Sequence, residues 1–427
     1  MLDTGQNTGQ NIVDHIERTI ADLIGDANQA AAAARTGWMF FMALIAFFVI
    51  ALAGVTHKDL LLETPVELPL LQVKIPQSSF FLFGPLILLL VHLNLLMQHV
   101  PLSRKLKEVH RRLTSHEGNG LYRQHRLRTL VNSYAVAQAV AGPWRSRVFG
   151  FFLHAVNFTT LVLLPILVLL NFQIAYLPWH DATVTMLHRI YLAADILIVL
   201  LLGTLILAPE QKFFAGLGTV LKRHTGTLLG MVALSIAALI FSNLIATIPD
   251  ERLDRTAALL WPVPVDPSAN PNGAGRTAFG PTAWLFDGRV DQIKGKPESL
   301  FSRNLVVINT QLVPPVNPEP EEASLNLRGR DLRFATFDRS DMRRADFTGA
   351  DLTGTSFVRT GLIKAQLGRS TMAGTDLRGA GILSTFARGA KMEGVRVCST
   401  QRMAFIADMA DNQDLKGLAR ETCPPDF

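Results

Sequence analysis

Side chains able to carry chemistry are scarce in this chain, and five polar ones sit where water is absent. His92, His154, Asn157, Asp195 and Asn243 lie inside long apolar runs. Imidazoles, amides and carboxylates in such places exchange protons, ligate metal or hydrogen-bond a neighbouring helix, and they face a bundle interior. His154 and Asn157, three residues apart, share a helical face. By depth they fall with His92 in the half nearest the basic loops, so His92, His154 and Asn157 are expected to form one hydrogen-bonded cluster. Asp195 falls toward the other end of its run and is not expected to reach His92. Interhelical hydrogen bonding is the expected role, with a proton or ion path as the alternative. Bis-histidine haem ligation is disfavoured, because no two histidine pairs sit at matched depths on facing helices.

Other reactive groups form no recognisable constellation. The only cysteines are Cys398 and Cys423, which excludes a cysteine cluster spaced for zinc or iron–sulfur. There is no Walker-type loop, zinc-ligand helix, nucleophile elbow or dinucleotide fingerprint. The expectation is a protein without catalytic, cofactor or metal sites, and not an enzyme.

The elements that position the polar groups are apolar and long. The chain is 49% hydrophobic and 18% charged. Five runs, 37–55, 79–97, 148–171, 190–208 and 226–248, have the ~20 residues a bilayer crossing needs. Trp38, Trp144 and Trp179 fall near their ends, as interfacial anchors do. Pro85 and Pro165 lie within them, which membrane helices tolerate. A helix over 11–34, within an N-terminal region 1–36, leads toward the first run. The loop 98–148 carries ten basic and two acidic residues, and 209–225 adds Lys212, Lys222 and Arg223. The loops between are poor in Lys and Arg. Basic loops lie on the cytoplasmic side, which puts the N-terminus inside and everything beyond residue 248 outside. The basic loop is read as a topology determinant carrying a solvated helical hairpin, with a segment lying against anionic cytoplasmic lipid as the alternative. Loop 56–78 partly alternates in polarity, as a short strand does.

Residues 249–323 hold 11 of the 22 prolines, which favours extended, semi-rigid chain. Within them 299–308 reads as a strand that caps the next domain. From Leu325 a five-residue period begins. Its centres are Leu327, Leu332, Phe337, Met342, Phe347, Leu352, Phe357, Leu362, Leu367, Met372, Leu377, Ile382, Ala387, Met392 and Val397, with a small residue two places before most of them. Large and small side chains alternating at fixed phase fill a narrow core, and the other positions are polar or Gly. The phase is poorest at 385–387, where Phe386 takes an outward slot.

Ala-Asp-Phe-Thr-Gly at 345–349 and Ala-Asp-Leu-Thr-Gly at 350–354 make the segment resemble the pentapeptide-repeat family. The resemblance covers about 325–397. It implies an all-β right-handed quadrilateral β-helix with four repeats per coil, beside an α-helical membrane domain of about five transmembrane helices. The whole chain resembles bacterial membrane-anchored pentapeptide-repeat proteins, which implies a bacterial plasma membrane. Some soluble members mimic DNA, a role that needs a long acidic rod. This one is short, with thirteen Lys/Arg against seven Asp/Glu over 325–397, so no nucleic-acid-related role is expected.

A twenty-residue coil stacks Phe337 under Phe357 inside. Outside, it stacks Arg339 with Arg359 and Arg344 with Lys364. Those four make a basic strip for an acidic partner or anionic lipid, or a solvated surface. Residues 398–427 are expected to cap the open end. If that end is outside, a Cys398–Cys423 disulfide would pin it; two thiols in a cytoplasmic domain are the alternative. The expected function is a non-enzymatic membrane protein presenting a repeat platform. The alternative is a channel, transporter or sensor with the repeats as an accessory. The lipid bilayer is the one partner expected outright.

Overall fold

In a computed structural model, the structure describes residues 3–68, 73–115, 126–143, 147–208, 213–223, 225–264, 277–313, 325–398 and 419–421. Five helices are long and apolar enough to cross a membrane: Thr19–Gly54, Gln77–Thr114, Val148–Trp179, Ala182–Leu207 and Thr225–Ile245. We call them spans one to five. Span one belongs to one unbroken helix, Asp3–Gly54, so the N-terminal helix does run into it. Trp144 lies outside the described residues.

The chain divides into two compact units. One comprises 1–53, 83–170 and 190–239, and the other 54–82, 171–189 and 240–427. In the first, Ile20, Ile24, Ala27, Ala31 and Ala34 line one face of span one at three- and four-residue spacing. They pack against Leu102, Leu106, Val109 and Leu113, and against Val131, Tyr134 and Ala137. The alanines permit close approach. Asn28 fastens a segment within the 98–148 loop: its Nδ2 donates to the Leu130 carbonyl (2.7 Å) and its Oδ1 accepts from the Asn132 amide (2.8 Å).

The second unit gathers the segments that follow spans one, three and five. After span one come a short helix, His57–Leu62, capped by Thr56, and an antiparallel strand pair, Val66–Leu68 with Val73–Ile75. After span five the described residues, 249–264 and 277–313, are not the extended linker expected of them. They form a helix Arg252–Leu260, a strand pair Pro262–Pro264 with Thr277–Phe279, a helix Gly280–Phe286 and a hairpin, Val290–Asp291 with Lys296–Pro297. The reason is a buried ion network, described below, that proline content does not reveal.

Residues 305–312 begin the stacked part. Val306 pairs in parallel with Thr336, and Gln311 with Asp341. From Asp331 on, parallel bridges join residues twenty apart: Asp331 to Asp351, Thr336 to Ser356, Asp341 to Gly361, up to Asp376 to Arg396. Four five-residue units therefore close one coil. All fifteen centres are buried, and so are the small residues from Ala335 to Ala390 that precede them. Phe337 and Phe357 stack with centroids 5.4 Å apart. Where the small slot holds Thr, its hydroxyl is satisfied by the coil below: Thr355 donates to Leu332 O, Thr360 to Phe337 O and Thr375 to Leu352 O, each at 2.8 Å. This explains why a polar residue is tolerated in the core. Two places after each centre the backbone is often left-handed. Gly fills that position at 349, 354 and 374, whereas Arg339, Arg344, Arg359 and Lys364 hold it at φ 57–63° despite the steric cost of a Cβ. Phe386 is 66% exposed, as its outward slot requires.

At the far end, Ala419–Glu421 adds a strand parallel to Arg396–Cys398. Cys398 is buried. Cys423 and the remainder of the expected cap lie outside the described residues.

The first layer of the stack is held by His57, whose Nδ1 accepts the Val306 amide at 2.9 Å. Burial lowers the pKa of His57 from 6.5 to about 4. Above pH ~6.5 the imidazole is neutral both folded and unfolded, and its full contribution is present. Between about 6.5 and 4 the unfolded chain takes up a proton that the folded one refuses, so stability falls as pH falls. The thermal midpoint of the parent should drop across that window more than that of His57→Gln, whose amide oxygen can still accept from Val306. Parallel curves for the two proteins would show that His57 does not titrate in this way.

Candidate interaction surface and intramembrane polar pair

The polar groups inside the spans pair differently from the sequence reading. His92 Nδ1 meets Asp195 Oδ1 at 2.6 Å, and neither side chain is exposed by more than 1%. His92 Nε2 meets the Leu161 carbonyl at 3.1 Å, and Phe41 stacks on the imidazole at 5.0 Å. His154 is exposed and Asn157 half-buried. With both His92 nitrogens engaged elsewhere, the expected His92–His154–Asn157 cluster does not form. The depth argument failed because span four begins at Ala182, eight residues before the apolar run. Thr185, His188 and Arg189 are buried in that first stretch, and their polarity hid it. His92 stands fifteen residues into Gln77–Ser115 and Asp195 thirteen into Ala182–Leu207. At 1.5 Å per residue those are matched depths of about 22 and 20 Å.

The Leu161 acceptor also has a cause in the sequence. An α-helix would direct the amide of residue 165 at the Leu161 carbonyl, but Pro165 has none. Thr159–Leu163 is a π turn, and His92 takes up the carbonyl. A carbonyl only accepts, so Nε2 carries a proton. Seven residues along the same helix, His99 bonds the Leu95 carbonyl and the Tyr134 hydroxyl, each at 2.7 Å. Neither His99 nor Tyr134 stood out in the sequence.

Within the second unit the repeat coils are fastened to the ends of the spans by ionic and aromatic contacts. Arg303, fully buried, gives Nε and Nη2 to the two oxygens of Asp287 (2.9 and 2.6 Å) and Nη1 to Asp254 (2.7 Å). Burial opposes its charge, but the two carboxylates outweigh that and hold its pKa above the usual arginine value. Thr247, just after span five, donates to Asp254 at 2.9 Å. His180, after span three, donates from Nε2 to the Arg303 carbonyl (2.7 Å) and places Nδ1 3.4 Å from Asp331 in the first coil. Burial raises the Asp331 pKa, but hydrogen bonds from His180 and Arg333 reverse this and hold the carboxyl well below its usual range. Arg330 lies over the Trp179 ring at 3.5 Å. Arg189, which the sequence reading assigned to a loop, sits in span four. It bonds Glu251 and the Ser242 and Ala246 carbonyls beside the π turn Phe241–Ile245.

The four residues expected on the basic strip fall in register. The Arg339 amide donates to Val358 O (2.9 Å), and the Arg344 amide to Ile363 O (3.0 Å). This places Arg339 beside Arg359 and Arg344 beside Lys364 in successive coils. Arg339 and Lys364 are exposed, Arg344 and Arg359 half-buried. Arg339 and Arg359 also border a cleft of about 640 Å³ between the 287–304 segment and one face of the coils. There Arg339 Nη2 donates to the Gln292 carbonyl (3.1 Å) and Oε1 (2.8 Å). Gln292 Nε2 donates to Asp338 (2.9 Å), which also accepts from Ser356 (2.5 Å) and the Val358 amide (3.0 Å). Burial pushes the Asp338 pKa up. Arg339 is thus partly engaged with the hairpin. Among the described residues, no group of three or more His, Cys, Asp or Glu is placed to hold a metal ion.

Residues 325–357 match the family model described as pentapeptide repeats (8 copies). These are pentapeptide repeats. The twenty-residue bridges continue the same period beyond the matched residues, to Arg396. Among solved structures, a pentapeptide-repeat protein from the Arabidopsis thaliana thylakoid lumen is similar, at 26% identity and a TM-score of 0.18. The match covers 21% of this chain and 55% of that one, so this chain spans about half the length of that relative. No curated protein matches the chain.

Proposed function

We propose that the chain is a non-enzymatic, multi-pass protein of a bacterial plasma membrane, with its N-terminus cytoplasmic. Its pentapeptide repeats form a right-handed quadrilateral β-helix on the outer face. The β-helix is an interaction platform whose basic strip, Arg339, Arg344, Arg359 and Lys364, docks an acidic protein. The carrying observation is the fastening of the first coil to the span ends, through Arg330 on Trp179 and His180 between Arg303 and Asp331. A domain held this way presents its sides in fixed orientation to whatever approaches the membrane.

Sidedness rests on two supports. Basic loops alternate with poor ones along the sequence. The segments after spans one, three and five share one compact unit, as an odd number of crossings requires. An outer location also suits a Cys398–Cys423 disulfide. Glu421 lies opposite Cys398 in the strand pair, two residues before Cys423 in sequence.

The test is charge reversal. Arg339, Arg344, Arg359 and Lys364 are replaced by Glu, and crosslinked partner is recovered from intact cells. Recovery should fall about tenfold or more while membrane insertion is retained, since like-charge juxtaposition costs several kcal/mol. Undiminished recovery would count against the strip. The pair Arg344→Glu and Lys364→Glu, away from Gln292, separates docking from any disturbance of the hairpin. A reporter fused after Phe427 and active only in the cytosol would overturn the sidedness.

A further inference from the structure

Among the described residues of the second unit, four large apolar side chains are exposed on two neighbouring elements. The helix Arg252–Leu260 starts seven residues after span five ends at Ile245. It turns Asp254, Ala257 and Ala258 inward. Leu259 and Leu260 face out, 82% and 71% exposed, and Trp261 follows at 61%. The Trp261 indole lies against Gly280, where an added Cβ would stand 3.1 Å from the ring. Trp284, 78% exposed, is four residues beyond Gly280 on the helix Gly280–Phe286, so it shares a face with Gly280 one turn along. Trp261 and Trp284 thus both lie by the Gly280–Phe286 helix, and Leu259 and Leu260 directly precede Trp261 in sequence.

Two contacts fix the level of these elements. Phe286 packs against Phe241, in the last turn of span five, with centroids 6.4 Å apart. Thr282 Oγ1 donates at 3.0 Å to the Ile245 carbonyl, which also accepts the Thr247 amide at 3.1 Å. The Gly280–Phe286 helix thus lies beside the end of span five, which on the membrane reading is where that span leaves hydrocarbon. Indole rings are enriched at that depth, with the ring body in apolar surroundings and the N–H in the headgroup layer. Arg252 and Arg255 are exposed on the adjoining helix, within reach of lipid phosphates.

We propose that Leu259, Leu260, Trp261 and Trp284 are immersed in the headgroup–acyl boundary of the bilayer that the spans cross. They form an in-plane anchor additional to the spans. The anchor holds the 252–286 module against the leaflet on the repeat side and so limits how the repeats tilt above it. The proposal rests on the reading that the spans cross a bilayer.

The test uses the full chain in phosphatidylcholine–phosphatidylglycerol vesicles. Trp38, Trp144 and Trp179 are replaced by Phe, leaving Trp261 and Trp284 as the only indoles. Lipids brominated high on the acyl chain should quench this emission about twofold, and more than lipids brominated near the chain end, as an interfacial position requires. A second protein retaining only Trp38, in span one, reports insertion itself. If Trp38 is quenched and Trp261 with Trp284 is not, the anchor is wrong while the spans stand. If neither is quenched, the membrane reading fails first and the anchor with it. Trp284→Ser, at an exposed position, should leave the melting curve unchanged and reduce quenching. If instead that substitution dissociates a dimer, these side chains pack on a second copy of the chain and the lipid proposal is overturned.

Discussion

Arg303→Met is expected to lower the unfolding free energy by about 3–5 kcal/mol, the cost of removing one partner from a buried ion network. Arg303 is unexposed, and the side chains of Asp254 and Asp287 are exposed by only 3% and 5%. Taking the guanidinium away leaves two buried carboxylates facing a thioether. The bidentate Asp287 bond and the single Asp254 bond are charge-assisted, the strong class of hydrogen bond. A triple variant, Arg303→Met with Asp254→Asn and Asp287→Asn, should recover most of the loss, because the bare charges go with the cation. Denaturant unfolding of the detergent-solubilised chain measures all three proteins. An Arg303→Met variant as stable as the parent would show that the network carries no such stability.

Inside the span bundle, Asp195→Ala should cost about 3 kcal/mol, toward the lower end of the range for breaking a buried pair. A chain unfolded within the membrane finds substitute partners, which moderates the loss. The imidazole of His92 would keep its Leu161 acceptor and lose its carboxylate, leaving Nδ1 in hydrocarbon with nothing opposite. Asp195→Asn should cost less, since the amide can still meet Nδ1. The double variant His92→Leu, Asp195→Leu should fall between parent and Asp195→Ala. The pattern is a clamp between spans two and four. If Asp195→Ala melts with the parent, the pair does not hold the bundle together.

The repeats were the most legible part of the sequence. Two recurring positions, the centre and the small residue two places before it, decide what points inward, so a phase read from fifteen centres is a statement about burial, and all fifteen are buried. The five apolar runs were legible for a similar reason, since length and hydropathy suffice to mark a crossing. Their ends were not. Span four starts with Thr185, His188 and Arg189, side chains satisfied by partners such as Phe81 O and Glu251, and a hydropathy reading discards such a turn. That error displaced Asp195 and cost the His92 pairing. Pro165 was the signal that could have located the Leu161 acceptor, because a proline inside a helix names the carbonyl it abandons. Arg303 had no comparable signal. Its partners lie 49 and 16 residues away in sequence, in a stretch with no period. Only the folded chain shows that they meet.

The twenty-residue bridge spacing bears on how such a protein can change. Each five-residue unit contributes one large and one small inward side chain and a quarter of a coil. Gaining or losing a single unit therefore swings every outward residue beyond it onto the next side of the stack, while the interior meets the same sequence of large and small groups. Surface lineages can be re-indexed in one genetic step without renegotiating the interior. Surface chemistry on this scaffold is free to change without a change in the architecture that displays it.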